Sequence, residues 1–314
     1  MEESKNKEFL TGNLVDRNEK EKFIRELAES ECKLNIRLIN DFAFKKTFHN
    51  KKALTGLLSA LLDMPAGKIE ELEFPDTFLD GEYEDGREGI LDVRVHLNNQ
   101  RRINIEIQVL EYPYWEERSL FYLSKMFVDG FSKGENYSKL EESIQISILG
   151  FDLPHADHYY SVIRLMDEKT HTIYSDKLSL RMLYLKQLDN VSEEELGEEV
   201  YKWAKLISAK DWKVLIKMAE NNEYMRAAVE EMEKINSDKE LRYRYLKKEM
   251  ELSDETTIRE YYLSKGWEKG KASGEQFMLG LIKAMMKDGM GQEEIERLET
   301  DDSFKDEMVK KYIQ

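Results

Sequence analysis

The chain has 314 residues, 41% of them hydrophobic and 36% charged, with a net charge of −16. That is more chain than one core usually fills, so a domain with a substantial appendage is expected. Its single cysteine, Cys32, excludes an internal disulfide and a cysteine-based zinc site, and the acidity argues against broad electrostatic binding of nucleic acid.

No run of about 18 apolar residues is present, so no membrane span is expected. The opening MEESKNKEFLTGNLVD lacks the basic-then-apolar order of a secretion signal. A cytosolic protein is the expectation. The acidity is spread along the chain: −2 over residues 1–34, −6 over 35–187 and −8 over 188–314. A polyanionic partner therefore needs a local basic patch or a bound metal.

Residues 1–34 read as a polar N-terminal extension with a helical stretch at EKFIRELAESE. NDFAFKKTFHNKKALTGLLSALLDM follows, with Phe44, Phe48, Leu54, Leu57, Leu58, Leu61 and Leu62 at helical spacings. Asn40 or Asp41 is the expected N-cap, and MPAG at 64–67 breaks the helix. KIEELEFPDTF reads as a short strand ending at Pro75.

ILDVRVHLNNQRRINIEIQV, from Ile90 to Val109, reads as a β-hairpin. A helix from about Tyr114 to Phe131 and a strand in ESIQISILGFDL come next. HYYSVIRLMDEKTHTIYSDKLSLRMLYLKQL supplies two or three more strands. From Asp189 the strand signals vanish and the helical period takes over. Gly266, Gly270 and Gly274 recur every four residues, either as a close helix contact or as a flexible connector. Two or three short helices are expected around Gly289. The chain thus divides into an extension (1–34), a mixed α/β domain (35–188) and a helical C-terminal region (189–314).

The hairpin carries the chemistry. Val93, Val95 and Leu97 share one face with Ile103, Ile105, Ile107 and Val109; Asp92, Arg94 and His96 share the other with Asn104, Glu106 and Gln108. For the apolar faces to coincide, paired residue numbers must have an even sum. A sum of 198 sets Asp92 opposite Glu106; a sum of 200 sets it opposite Gln108. Either brings the carboxylates within roughly 5–8 Å at their stems. Two acids so close repel unless a cation lies between them, and Mg²⁺ or Mn²⁺ suits oxygen ligands. The plainer reading is a solvated face, with Asp92 paired to Arg94 or Arg102 and Glu106 exposed.

Asp92, thirteen residues, then Glu-Ile-Gln on a hairpin followed by an aromatic helix resembles the PD-(D/E)XK nuclease fold. More narrowly it resembles the Rpn-type, transposase-like family of recombination-promoting nucleases. NDFAFKKTF, REGILDVRV, NIEIQV, ERSLFYLSKMF and KGENYSKLEESIQISILGFDL carry the likeness, and KGWEKGKASGEQ with KDGMGQEEIERL resembles the usual tail. The resemblance implies a restriction-endonuclease-like mixed-sheet core and a helical tail. It also implies metal-dependent hydrolysis of DNA, linked to recombination or mobile elements. Asp92 and Glu106 would hold Mg²⁺ or Mn²⁺, Gln108 stands where the motif has lysine, and Asp41 is an additional acid. No proline precedes Asp92, and Gln108 can orient water but supplies no charge.

Arg118, Tyr122, Lys125 and Asp129 fall on one face of the following helix, and Phe121, Ser124, Val128 and Phe131 on another. If the second face packs on the sheet, Arg118 and Lys125 edge the cleft and can meet phosphates. Lys45, with Lys46, Lys51 and Lys52, forms the best basic cluster nearby. No GxxxxGK[ST], HExxH or GxSxG motif appears, so those reaction classes have no support. The rival expectation is a catalytically weak or inactive nuclease-fold interaction module in a recombination or phage-defence complex. The apolar helices of the tail suggest a homodimer.

Overall fold

A computed structural model of the chain describes residues 17–74, 93–98, 100–131 and 134–312. Two compact units divide them, one up to Glu251 and one from Leu252. The larger unit opens with helices α1 (Arg17–Glu29), α2 (Asp41–Phe48) and α3 (Lys51–Leu61). It continues through β1 (Leu72–Glu73), β2 (Val93–Leu97), β3 (Arg101–Gln108), α4 (Trp115–Asp129), β4 (Glu142–Leu149), β5 (Tyr160–Met166) and β6 (Ile173–Tyr184). Helices α5 (Glu199–Ser208), α6 (Trp212–Ala219), α7 (Glu223–Ser237) and the first turns of α8 (Lys239–Lys287) complete it.

The six strands form one mixed sheet in the order β1-β2-β3-β4-β6-β5. β2 and β3 are the expected antiparallel hairpin, in the register that pairs Val93 with Ile105 and Leu97 with Arg101. Every such pair sums to 198. β4 joins β3 in parallel, and the connection crosses over through α4. β6 pairs β4 in parallel and β5 folds back on β6. Parallel strands in mid-sheet are covered on both faces. Both faces of β4 are accordingly buried, Ile144, Ile146 and Ile148 on one side and Ser143, Gln145 and Ser147 on the other.

Helix α4 covers the face of Asn104, Glu106, Gln145 and Ser147. Its Trp115, Leu123 and Met126 pack in one core with Leu149, Leu180, Met182 and Tyr184. This corrects the expected packing face. Phe121 and Val128 lie exposed on the outer side of α4, at 59% and 67%. The stripe from Trp115 through Ser119 to Leu123 and Met126, at i, i+4, i+8 and i+11 with no charge among them, is the one that buries.

The opposite face, with Ile103, Ile105 and Ile107, meets the other helices. Arg181 and Tyr160 share that face by register, and both donate to the Leu61 carbonyl at the end of α3. The stretch 40–62 is two helices rather than one. Asn40 caps α2 by accepting from the Ala43 amide, and Asn50 starts α3 afresh by accepting from the Lys52 and Ala53 amides. α3 then runs close against its neighbours: a Cβ on Gly56 would stand 2.2 Å from the Tyr224 Cβ and 2.7 Å from Trp203.

The unit from Leu252 is helical throughout its described residues: the remainder of α8, then α9 (Gln292–Thr300) and α10 (Asp302–Tyr312). Gly289, at φ +86°, makes the turn that ends α8. Leu281, Met285, Leu298 and Met308 form its small core. Gly266, Gly270 and Gly274 lie inside the continuous helix, each with open space where a side chain would stand.

Candidate active site

Strand β3 presents Glu106 into the layer between sheet and α4, where the residue is only 5% exposed. The Arg118 Nη2 group donates to its Oε1 at 2.8 Å. The other oxygen, Oε2, is buried without a hydrogen-bond partner. Burial pushes the Glu106 carboxyl up from its ordinary value; the charge and hydrogen bond of Arg118, and the charge of Lys45, pull it back without cancelling that. The solvated-face reading of this strand is thereby corrected. Arg102, its expected partner for an acid, bonds Glu141 at 2.7 Å instead, and His96 meets the same carboxylate at 3.1 Å.

Arg118 is placed by the first turns of α4. Its guanidinium carbon lies 4.9 Å from the ring centre of Tyr112, 5.3 Å from Tyr122 and 5.6 Å from Trp115. The aromatic rings hold the cation by their faces, and the carboxylate holds it by its edge. Its Nε is buried without a partner. Lys125 stands two turns further along α4, partly buried.

Gln108 ends β3, and its side-chain amide donates to the Leu110 carbonyl at 2.8 Å. Asp41, the first residue of α2, sits close enough that its charge and that of Lys45 are felt at Glu106. Lys45 reaches back one turn to Asp41 Oδ1 at 2.9 Å, and Lys248 approaches Oδ2 at 3.9 Å. The four-lysine cluster does not act as one patch, because Lys52 pairs with Glu223 at 2.6 Å while Lys45 turns to Asp41. Asp92 lies outside the described residues, which end at Val93 on that strand.

Glu106, Arg118, Asp41 and Lys45 are thus gathered where β3, α2 and α4 converge. Hard oxygen donors and an orphaned buried carboxylate oxygen fit a divalent cation of the Mg²⁺ or Mn²⁺ kind. Among the described residues no three acids, histidines or cysteines come together as a metal cluster. Sequence reasoning missed the polar row beside the acid. Asn104 donates to Gln145 at 2.9 Å, and Ser143 and Ser147 are buried alongside. Its signal was the Ser-x-Gln-x-Ser alternation of β4. Tyr112 as a wall for Arg118 was missed too, since it precedes the helix.

A family model described as PD-(D/E)XK nuclease family transposase matches residues 38–261. No curated protein and no solved structure matches the chain.

Proposed function

The chain belongs to the PD-(D/E)XK nuclease family transposases, and from that premise we propose that it is a metal-dependent DNA endonuclease. The observation that carries the reading is Glu106: a carboxylate buried on a central strand, one oxygen paired to Arg118 and the other paired to nothing. An orphaned charged oxygen in a protein interior is costly unless a cation completes it.

In this reading Asp92 and Glu106 hold Mg²⁺ or Mn²⁺. Of the two registers open to the hairpin, 198 and 200, Val93–Leu97 adopt 198, the one that in this reading sets Asp92 opposite Glu106. The ion, when bound, supplies Lewis acidity toward water and the scissile phosphate. Asp41 adds negative charge beside the pair, Gln108 orients water by its amide, and Arg118, Lys125 and Lys45 meet phosphates. Residues 35–188 form the nuclease-like domain, 1–34 an extension, and 189–314 a helical region that joins two copies. Among the described residues no helix is long and apolar enough to cross a membrane, and the reading is of a cytoplasmic protein.

The test is plasmid cleavage by the full chain with and without Mg²⁺ or Mn²⁺. Cleavage should need the ion and vanish in Asp92→Ala and Glu106→Ala with folding intact. Unchanged cleavage in both variants refutes it. A second reading, a nuclease fold used as an interaction module, is favoured by Gln108, whose amide is already committed to the Leu110 carbonyl. Folded protein that cleaves nothing under either metal selects that reading.

A further inference from the structure

The Glu106–Arg118 contact presents a conflict of charges. A divalent cation bound at the unpaired Oε2 of Glu106 would share one carboxylate with Arg118, and two cations on one buried carboxylate repel strongly where the dielectric is low. Oε1 accepts Arg118 Nη2 at 2.8 Å, and the Glu106 side chain is only 7% exposed, so solvent reaches the pair only from the arginine side.

Arg118 has a second set of partners where it stands. The rings of Tyr112, Tyr122 and Trp115 stand about its guanidinium at 4.9, 5.3 and 5.6 Å. Such faces hold a guanidinium that has lost its carboxylate. The arginine is also less deeply placed than its partner, its side chain 30% exposed against 7% for Glu106. The arginine is therefore the member of the pair nearer to solvent.

We infer that Arg118 is a resident counter-ion of Glu106, which the incoming metal displaces and which then turns within its aromatic cage to a phosphate of the substrate. The inference rests on the metal-dependent reading above and adds a coupling to it. Metal and nucleic acid each strengthen the other's binding, since each favours the state in which Arg118 has left Glu106. An unloaded protein keeps one carboxylate oxygen and the guanidinium paired to each other.

The test is Mn²⁺ binding by titration calorimetry on the full-length chain, at pH 8.5, for the wild type, Arg118→Gln and Arg118→Lys. A pair closed in roughly 90% of molecules lowers apparent metal affinity about tenfold. Arg118→Gln should therefore bind Mn²⁺ about tenfold more tightly than the wild type while cleaving DNA more slowly. Arg118→Lys keeps the charge but loses the planar fork, and should fall between the two. It carries the test alone if circular dichroism shows the glutamine variant unfolded. Equal or weaker Mn²⁺ binding in the folded variants overturns the inference and leaves the nuclease reading standing. Absence of Mn²⁺ binding in all three proteins removes the metal reading and the inference together.

Discussion

Arg118 Nη2 lies 2.8 Å from Glu106 Oε1, joining helix α4 to the middle of the sheet beside the apolar core of that layer. Breaking a fully buried ion pair by removing one partner costs about 3–5 kcal/mol, because the other charge is left behind. Here the Arg118 side chain is 30% exposed, so solvent moderates the loss. Arg118→Met is expected to lower the stability of the metal-free chain by about 2 kcal/mol, read as a shift of the urea midpoint at constant slope. A loss below about 0.5 kcal/mol would mean that the aromatic rings, not the carboxylate, hold the helix here.

The same burial makes stability depend on pH. The Glu106 carboxyl is raised from its ordinary value of 4.5, chiefly by desolvation. Between that value and the raised one, the folded chain holds a proton that the unfolded chain has released. Its contribution is therefore full below pH 4.5 and is lost as pH climbs through the raised value. Glu106→Gln cannot titrate, so the difference in unfolding free energy between wild type and variant should drift against the wild type over that window. Urea titrations at half-unit steps from pH 4 to 8 measure the drift. A difference that does not vary with pH would contradict a buried, titrating carboxyl.

Gly56 lies where α3 crosses helices α5 and α7. An added Cβ would meet the Tyr224 Cβ at 2.2 Å and Trp203 Cζ2 at 2.7 Å. The first of these is attached directly to backbone and cannot swing away. Overpacking of this kind costs about 1–3 kcal/mol, while an alanine in a helix gains back up to about 1 kcal/mol in propensity. Gly56→Ala should destabilise by about 2 kcal/mol on balance, seen as a fall in thermal midpoint. A rise in midpoint would show that the helices part at little cost.

How far these features were legible varies with the distance over which they are specified. The hairpin register is local: apolar residues on alternate positions of both strands force an even sum, and Val93–Leu97 take the sum of 198. The N-caps at Asn40 and Asn50 are equally local, yet the unbroken apolar spacing from Phe44 to Leu62 masked the second one. The depth of Glu106 is not local. Alternation with polar residues describes a half-solvated strand, and only the parallel arrival of β4 and the crossover of α4 bury both faces of β3. Helix α4 misled for another reason. FYLSKMFVDGF has large apolar residues all round, so periodicity alone could not choose between Phe121 with Val128 and Leu123 with Met126.

The last carbonyl of α3 offers a test of how the helical layer is fastened to the sheet. Leu61 ends the helix, and its carbonyl has no partner further along the chain's own helix. Arg181 Nη1 donates to it at 2.5 Å, the Tyr160 hydroxyl donates to it as well, and Arg181 Nη1 also donates to the Tyr160 oxygen at 3.1 Å. Arg181 is 7% exposed, and a cation at a helix C-terminus is favoured by the helix dipole. Tyr160→Phe alone should cost about 1 kcal/mol, the worth of one hydrogen bond, since Arg181 still serves the carbonyl. Arg181→Met alone should cost about 2 kcal/mol, with Tyr160 still in place. In the double variant the carbonyl is left buried and unserved, so the loss should exceed the sum of the two by about 1 kcal/mol. A double-mutant cycle in urea measures that excess. Strict additivity would mean that water reaches Leu61 once either side chain is gone, and that the two donors act independently rather than as one clamp.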